Sequence, residues 1–499
     1  MIDISPLRPL LGRPGRTTLS GVPEGLDAML IPGIARAAER RVVVHVAVDD
    51  QRAATLAGQV AYFAPELEVL RFPAWDCLPY DRVSPVADIL ARRLATLARL
   101  LEPVSAPLVV ITTVAAMLQR VVPRDMIEGH SFRAQPGSRI NSETLVGFLA
   151  SNGFSRTGTV VDPGDFAVRG GIIDIFPPGA DAPVRLDFFG DALESIRSFD
   201  PESQRTTATL RQFTLNPASE VLLGPQSIGR FRVGYAEAFG GLDIHDPLYE
   251  SITNGRKYQG MEHWLPLFHE RLARLTDYLV DPVLTLDHAL DQAATARHEQ
   301  VTEFYTARRE AIDSKESYGA APYKPVKPET LYVTASEWTE LQSTATVFAF
   351  SPFENPGGVS FRGRRGRSFA AERAQPGGNV YEAVRDHAAT IRRNGRRVAV
   401  ASWTEGSRER LETILKDHDL APLAAARDWP EFLSWDKAIA GLLVLGLEDG
   451  FETDEFAIIS EQDILGDRMV RRRRASRKAS DFINELSALT PGDLVVHVD

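Results

Sequence analysis

The alternation of apolar and polar residues indicates a sheet-and-helix architecture at the start of the chain. Residues 40–48 and 108–114 are short runs rich in β-branched residues, a pattern typical of strands buried on both faces of a parallel sheet. Asp49–Ala64 has helical spacing, and Asp88–Leu101 places apolar residues at i, i+3, i+4 and i+7, which predicts an amphipathic helix. Strands that alternate with helices predict a parallel α/β sheet for this region.

The pattern changes between Phe132 and Val221, where short apolar runs are separated by turn signals. These signals are Pro136-Gly137, Asn152-Gly153, Asp162-Pro163-Gly164, Gly170-Gly171, Pro178-Gly179 and Asp200-Pro201. Gly171–Phe176 and Val184–Phe189 are typical of strands, and Asn141–Leu149 is typical of a helix that packs on their sheet. The interval therefore predicts a small, strand-rich α+β module.

The rest of the chain returns to helices and then to a second α/β pattern. Residues 226–352 are mainly helical, most clearly at Asp287–Arg309, and the Gly/Arg-rich stretch Asn355–Arg367 marks a boundary. The second α/β unit consists of strand Arg397–Trp403, helix Gly406–Lys416, strand Gly441–Leu445 and strand Phe456–Ser460. A basic segment begins at Arg468, and an apolar strand follows Pro491.

The composition narrows the class of protein. With 44% hydrophobic and 25% charged residues in 499, the chain is ordinary globular protein, and three or four domains of about 100–200 residues each are expected. No apolar run reaches the length of about 18 residues that a membrane span needs. The single cysteine, Cys77, excludes an internal disulfide framework and favours a cytosolic location. The net charge of −11 argues against a surface that binds nucleic acid everywhere.

A parallel α/β sheet requires a search for a phosphate-binding loop, and none is found. The motif G-x-x-x-x-G-K-[ST] does not occur in the sequence. The nearest stretch, Ser20–Gly25, lacks both the lysine and the magnesium-binding hydroxyl, and Glu24 puts a negative charge where phosphate would lie. A plain turn at a helix start is the better interpretation, so nucleotide hydrolysis is not expected.

Other catalytic arrangements are also missing from the sequence. Cys77 has no histidine near it in the sequence, and no G-x-S-x-G elbow occurs. His263 and His269 resemble a metal-ligand spacing only weakly, and packing explains them better. We therefore expect no catalytic residue, no metal and no cofactor, which favours a binding protein over an enzyme.

Several motifs carry a family resemblance across nearly the whole chain. They are FPAWDCLPYD (Phe72–Asp81), RGGIIDIFPP (Arg169–Pro178), RLDFFGD (Arg185–Asp191), DPESQRT (Asp200–Thr206), GMEHWLPLF (Gly260–Phe268), ISEQD (Ile459–Asp463) and TPGDLVVHV (Thr490–Val498). In this order and spacing they resemble the N-terminal region of bacterial transcription-repair coupling factors (Mfd). The first part of that family is itself similar to the excision-repair subunit UvrB, as a degenerate copy without ATPase residues.

The resemblance implies a domain organisation. It assigns residues 1–131 to a UvrB-like domain 1a without a phosphate loop, 132–221 to an inserted UvrA-binding-type α+β domain 2, 222–352 to a UvrB-like domain 1b, 353–466 to an α/β domain 3, 467–488 to a basic linker and 489–499 to the truncated start of an RNA-polymerase-interacting domain. Family members continue into an ATP-driven DNA translocase, so ATP, magnesium, RNA polymerase and double-stranded DNA are expected only for those missing domains.

The resemblance also implies a partner and a site. In the family, the strand-rich module docks onto the damage-recognition ATPase UvrA, and the residues that match the family's contact residues are Arg169, Arg185 and Phe189. Strand alternation places Arg185 and Phe189 on one face and leaves Leu186 and Phe188 for the core. Arginine forks beside an exposed aromatic side chain are typical of protein-binding sites. A structural alternative is that Arg169 pairs with Asp174 or Asp187 on the surface.

Two basic clusters leave other functions open. Arg362–Arg367 is interpreted as a flexible loop, and Arg471, Arg472, Arg473 and Arg474 lie on the linker, where they face acidic protein, DNA phosphates or only solvent. The alternatives to a UvrA-recruiting adaptor are a UvrB-like helicase subunit that binds ATP and DNA, a non-specific DNA-binding module and a structural spacer. ATP turnover would favour the first, and steeply salt-dependent duplex binding the second.

Overall fold

The computed structural model describes residues 2–39, 41–313 and 322–466 of the chain. The first part consists of a 3₁₀ helix, Ser5–Leu10, followed by β1 (Gly15–Ser20), α1 (Leu26–Ala37), β2 (Val42–Ala47), α2 (Asp50–Phe63), β3 (Glu68–Phe72), α3 (Ala87–Leu100), β4 (Leu108–Thr113), α4 (Val114–Met117) and α5 (Arg124–Glu128). The strands at β2 and β4 and the helices at α2 and α3 confirm the sequence prediction to within two residues at each end. The strands at β1 and β3 were not predicted.

The strand-rich module follows directly. Its elements are β5 (Phe132–Ala134), α6 (Ser142–Ser151), β6 (Ser155–Arg156), β7 (Asp165–Arg169), β8 (Ile172–Ile175), β9 (Val184–Phe189), β10 (Ala192–Phe199), β11 (Thr206–Leu210) and β12 (Phe213–Leu215). Strands β6 to β11 form one six-stranded sheet in the order β11-β10-β9-β8-β7-β6, and β5 pairs with β12. The predicted turn at Gly170 lies between β7 and β8, and Gly190, which was not predicted, forms the turn between β9 and β10; both glycines have positive φ.

The chain then returns to the first unit. It forms α7 (Pro225–Phe239), α8 (Pro247–Thr253), 3₁₀ helices at Met261–Leu267 and Leu275–Tyr278, β13 (Val283–Leu286), α9 (Leu290–Asp313), α10 (Pro328–Leu331), α11 (Ala335–Thr344), β14 (Thr346–Phe350) and β15 (Val359–Ser360). Strands β13 and β14 insert beside β1 and β2, giving a parallel sheet in the order β15-β1-β14-β13-β2-β4-β3. The strand-rich module is therefore an insertion within one α/β unit.

The final described part is a second α/β unit. It comprises β16 (Arg364–Arg365), α12 (Ala370–Ala374), α13 (Val380–Arg393), β17 (Arg397–Ser402), α14 (Glu405–Asp417), β18 (Leu423–Ala426), α15 (Trp429–Ser434), β19 (Ala440–Val444), β20 (Phe451–Glu452), β21 (Phe456–Ser460) and α16 (Glu461–Leu465). The sheet order is β16-β20-β21-β17-β19-β18, parallel from β21 to β18 and antiparallel at the short strands β20 and β16.

Helices α1 and α2 lie between the two α/β sheets. One continuous apolar cluster joins one face of the first sheet, both helices and one face of the second sheet, where Trp429, Phe432 and Phe451 are buried. Polar contacts cross the same junction: the Gln59 side chain donates to the Gly446 carbonyl at 2.7 Å, and the Tyr62 hydroxyl to the Ala426 carbonyl at 3.2 Å. The two α/β units therefore share a core.

The architecture confirms the predicted fold class, a multidomain α/β chain with an inserted strand-rich α+β module. The face of each α/β sheet that points away from α1 and α2 buries a further core. The core of the first sheet lies under α3, α7 and α9, and that of the second under α13 and α14. Within the described residues, no helix has the length and hydropathy needed to span a bilayer.

Candidate interaction surface and the degenerate phosphate loop

One face of the six-stranded sheet covers the main core of the module, and the other face carries charged side chains beside a small apolar cluster that includes Phe199. Along β9, Leu186 is fully buried and Phe188 packs partly against the core beneath α6, whereas Arg185 and Phe189 point the other way. Strand alternation thus confirms the predicted division of this strand. We call the second face, which carries Arg169, Arg185, Arg197 and Phe189, the arginine face.

Phe189 is the most exposed aromatic side chain of this module. It ends β9 just before the turn at Gly190, and 78% of its surface is accessible to solvent. The neighbouring residues on the strand satisfy the core without it, so packing within the module does not explain a phenylalanine here. A large apolar side chain held in solvent on a regular strand is typical of a protein-interaction site.

Arg169 carries a charge that no carboxylate neutralises among the residues the structure describes. Its guanidinium donates to the Gly158 carbonyl and, at 3.4 Å, to the Thr159 hydroxyl, both of which are neutral. The alternative that Arg169 pairs with Asp174 or Asp187 is wrong, because these carboxylates pair with other arginines of the face. The cation of Arg169 is therefore available to a partner.

Arg185, unlike Arg169, is paired with a carboxylate. Its Nε and Nη2 donate to the two oxygens of Asp174 at 2.7 and 2.9 Å, and its guanidinium lies 4.7 Å from the centre of the buried Phe199 ring. Asp174 is 1% exposed, and its hydrogen bonds raise the pKa of Arg185. The acidic residue in the apolar run IIDI indicates that a cation lies opposite it, but the sequence does not show which arginine supplies that cation.

The strand register brings the three predicted residues onto one side of the sheet. Arg169 pairs with Ile172, which pairs with Asp187, and Arg185 pairs with Asp174. With strands about 4.8 Å apart and about 3.3 Å between residues along a strand, the Cα atoms of Arg169 and Phe189 are roughly 12 Å apart. The three side chains therefore lie within one patch the size of an interface centre.

A second candidate site lies at the end of strand β1, a strand that the hydrophobic pattern does not predict because it is short and polar. The loop Gly21–Gly25 joins the end of β1 to the start of α1, the position of a phosphate-binding loop in α/β nucleotide-binding proteins. In such loops the backbone N–H groups at the helix start point at a phosphate. Here the Asp27 carboxylate accepts from the Gly25 and Ala28 N–H groups, at 3.0 and 2.7 Å.

The surroundings of this loop are acidic. Arg52 binds Asp27 and also lies 3.5 Å from both Glu24 and Asp287. Asp287 in turn lies 3.4 Å from His45, which is fully buried. One arginine thus faces three carboxylates, and Asp27 occupies the Gly25 and Ala28 N–H groups, so the loop is poorly suited to bind a phosphate.

Glu24 provides a test of this interpretation. Burial raises the pKa of its carboxyl from 4.5 to about 7. The folded chain then holds a proton between these values that the unfolded chain has lost, so stability falls as the pH rises through that window. We expect Glu24→Gln to stabilise the chain at pH 8 by about 1–2 kcal/mol, after allowing for partial solvent contact, and to have a much smaller effect at pH 5.

The measurement is urea unfolding of native chain and variant at the two pH values. The exposed Glu299, on α9, provides a matched control, because Glu299→Gln should leave the unfolding midpoint unchanged at both. A Glu24→Gln chain that is less stable than native at pH 8 would contradict the acidic-loop description.

Cys77 and His263, distant in sequence, come together in the structure. Their Sγ and Nε2 atoms are 3.6 Å apart. Burial raises the pKa of the Cys77 thiol to about 12 and lowers the pKa of His263 to about 3, so both groups are neutral near pH 7. A catalytic thiolate–imidazolium pair requires the opposite shifts. No group of three potential metal ligands occurs within the described ranges, His263 and His269 included.

The structure describes only one of the two basic clusters. In the Arg362–Arg367 stretch, Arg364, Arg365 and Arg367 each pair with a nearby carboxylate, of Glu452, Asp449 and Glu372 respectively, and Arg362 approaches Asp454 at 4.0 Å. This pairing reduces the charge offered to a phosphate backbone. The cluster Arg471, Arg472, Arg473 and Arg474 lies outside the described residues.

Comparison with known families matches two regions of the chain. The UvrB interaction domain matches residues 132–221, which contain the whole six-stranded sheet and its arginine face. The MFD D3 domain matches residues 391–464, within the second α/β unit.

Similarity to curated proteins extends over almost the entire chain. The transcription-repair-coupling factor of Rickettsia bellii (strain RML369-C) is 30% identical over 457 residues, which is 91% of this chain and 39% of the relative. That of Escherichia coli (strain K12) is 30% identical over 93% of this chain and 40% of its own length. The chain matches the N-terminal region of the transcription-repair coupling factors. The predicted resemblance is thereby confirmed.

The match covers only part of the length of each relative. The Bacillus subtilis (strain 168) transcription-repair-coupling factor is 23% identical over 97% of this chain, and this covers 42% of the relative. The chain thus spans about two fifths of the length of the transcription-repair coupling factors that it matches. Activities that belong to the remaining part of those proteins are not assigned to this chain by its similarity to them.

Proposed function

We propose that this chain is a non-catalytic adaptor that recruits the excision-repair protein UvrA to a lesion-stalled RNA polymerase, through Arg169, Arg185 and Phe189 on its arginine face. The observation that carries the proposal is Phe189, an exposed aromatic side chain beside an unneutralised arginine in the region that matches the UvrB interaction domain. An aromatic anchor bordered by cations is suited to a partner surface with an apolar pocket and carboxylates.

The proposed division of labour leaves catalysis to other domains. ATP and magnesium would act in a translocase outside this chain, and contacts with RNA polymerase and double-stranded DNA would be made there, in the cytoplasm. Asp27 on the loop N–H groups supports this division, because it disfavours the UvrB-like ATP-binding alternative. The paired arginines of the Arg362–Arg367 stretch similarly disfavour the non-specific DNA-binding alternative.

The test is calorimetric titration of the chain with UvrA. We expect the native chain to bind and Phe189→Ala to lower the association constant at least about tenfold, as truncation of an interface anchor commonly does. Because Phe189 is exposed and outside the core, the variant should unfold at the native temperature. A change in binding can then be attributed to the surface.

Phe353 supplies the matched control. It is also an exposed phenylalanine, 68% accessible, but it follows the carboxyl end of β14 in the first α/β unit. Phe353→Ala should bind UvrA as the native chain does. No binding by the native chain would overturn the proposed function, and equal losses in both variants would remove the assignment to the arginine face.

A further inference from the structure

We propose that the partner-contact surface of the inserted module is centred on Phe189 and flanked by Arg139 and Arg169, two arginines without a carboxylate partner among the described residues, and that Arg185 supports this surface from within by neutralising the buried Asp174. The proposal rests on the proposed function, since it specifies which groups UvrA would meet. It adds Arg139 to the residues that the family resemblance assigns and gives Arg185 a supporting role.

The backbone places Arg139 beside Phe189. Arg139 forms an antiparallel bridge with Ala192, the first residue of β10, and Ala192 is the register partner of Phe189. Directly paired residues in antiparallel strands project from the same face, so Arg139 and Phe189 share the arginine face. Two strand spacings of about 4.8 Å put their Cα atoms about 10 Å apart, within the reach of an extended arginine side chain.

The charge of Arg139 is not used inside the fold as far as the structure describes it. Arg139 is exposed and makes no ion pair with a described residue. The next residue, Ile140, packs against the core of the module, which fixes the backbone that presents Arg139. Two exposed acidic residues, Asp191 and Glu194, lie nearby on the β9–β10 turn and β10. The Asn141 amide lies 3.5 Å from the Asp191 carboxylate, and neither acid pairs with Arg139.

Arg185 has the opposite character. Both of its hydrogen-bonded nitrogens point at the two oxygens of buried Asp174, and its flat face stacks over Phe199. The Nε–H and one Nη2–H of Arg185 are committed to Asp174, and only 19% of the Arg185 side chain is exposed. Removing the guanidinium would leave Asp174 buried without a counter-charge, which is strongly unfavourable. Arg185 is therefore a positioning residue that holds β8 and β9 in register beneath the patch.

The chemistry of the partner surface follows. It should offer an apolar pocket for Phe189 bordered on two sides by carboxylates, one facing Arg139 and one facing Arg169. Such a surface would explain specificity, because a single phenylalanine pocket without the flanking acids would leave two arginines desolvated and unpaired.

The first experiment is titration of UvrA with charge-reversed chains. Arg139→Glu should lower the association constant by about tenfold or more, and Arg139→Ala should make binding less dependent on salt concentration than it is for the native chain. Arg205 is the matched control: it is an exposed arginine of the same module without a described ion pair, at the far end of the sheet before β11. Arg205→Glu should bind within about twofold of native.

The second experiment separates support from contact at Arg185. Arg185→Met alone should lower both the melting temperature and UvrA binding, because Asp174 is left buried without a cation. The double change Asp174→Leu with Arg185→Met replaces the pair by apolar side chains and should bring binding back to within about threefold of native. If Arg185 contacts UvrA directly, the refolded double variant will remain unable to bind.

The two proposals fail in different ways. A native chain that does not bind UvrA overturns the proposed function. A native chain that binds and loses binding with Phe189→Ala, while Arg139→Glu binds as native, overturns only the inference drawn here about Arg139. A folded Asp174→Leu, Arg185→Met chain that does not bind overturns the supporting role of Arg185.

Discussion

Replacing Arg93 with methionine is expected to lower the free energy of unfolding by about 3–5 kcal/mol, the cost of leaving one member of a buried ion pair alone. Arg93 of α3 and Glu220, at the end of the inserted module, are both fully buried, and their Nε and Oε1 atoms are 2.6 Å apart. The Trp75 indole also donates to Glu220, at 3.2 Å, and the Arg93 guanidinium lies 4.4 Å from the Phe72 ring centre. Without Arg93, the Glu220 carboxylate keeps only one described donor.

The control is the neighbouring residue of the same helix. Arg92 is about half exposed and pairs with Asp88 one turn away, so Arg92→Met should change stability by at most about 0.5 kcal/mol. The double variant Arg93→Met with Glu220→Leu should recover most of the lost free energy of unfolding, because the buried site tolerates an apolar pair of similar volume. Urea unfolding followed by tryptophan fluorescence measures all four chains. Equal stability of Arg93→Met and Arg92→Met would contradict the buried-pair description.

Acidification from pH 7.5 to pH 5 is expected to cost the folded chain about 4 kcal/mol through His263 and His269, about 2 kcal/mol each. Burial lowers the pKa of His263 from 6.5 to about 3 and that of His269 to about 4. The unfolded chain therefore gains two protons as the pH falls below 6.5, whereas the folded chain does not. Stability from these groups is complete above pH 6.5 and is lost as the pH falls toward their folded values.

Buried carboxyls act in the opposite direction over the same window, so a difference between variants isolates the histidines. Burial raises the pKa of both Glu24 and Glu262, and these groups favour the folded chain as the pH falls. We expect His269→Gln to lose about 2 kcal/mol less than the native chain between pH 7.5 and pH 5. His288→Asn, a change at an exposed histidine, should follow the native curve. Parallel curves for His269→Gln and native would contradict the prediction.

The hydrophobic pattern was sufficient for elements that are buried on both faces or strongly amphipathic. Strands β2 and β4 and helices α2 and α3 fall where the pattern put them, because a continuous β-branched run or a helical stripe leaves few alternatives. Strand β1 was missed, since its central residues Arg16–Thr18 are polar and its place between β14 and β15 depends on segments more than 300 residues later in the sequence. The packing of the second sheet on α1 and α2 was not predicted either. It is a long-range contact, and the local pattern of a helix does not show which sheet packs on it.

The arginine face, too, could be predicted only in part from the sequence. Alternation along β9 was enough to separate Leu186 from Phe189, because neighbouring strand residues must face opposite sides. It was not enough to find the partner of each arginine. That Asp174 binds Arg185 and leaves Arg169 without a carboxylate depends on the register between β8 and β9, which no sequence spacing records. Arg139 joins the patch only through its bridge to Ala192.

The layer of helices shared by the two α/β sheets has a mechanical consequence. Separating the second unit from the first would expose Trp429, Phe432 and Phe451 to water, so the junction resists being pulled apart in a way that a linker does not. The inserted module is in turn tied to the first unit by the buried pair of Arg93 with Glu220. A displacement of the second unit is therefore expected to carry the first unit with it, because separating them would uncover this apolar layer.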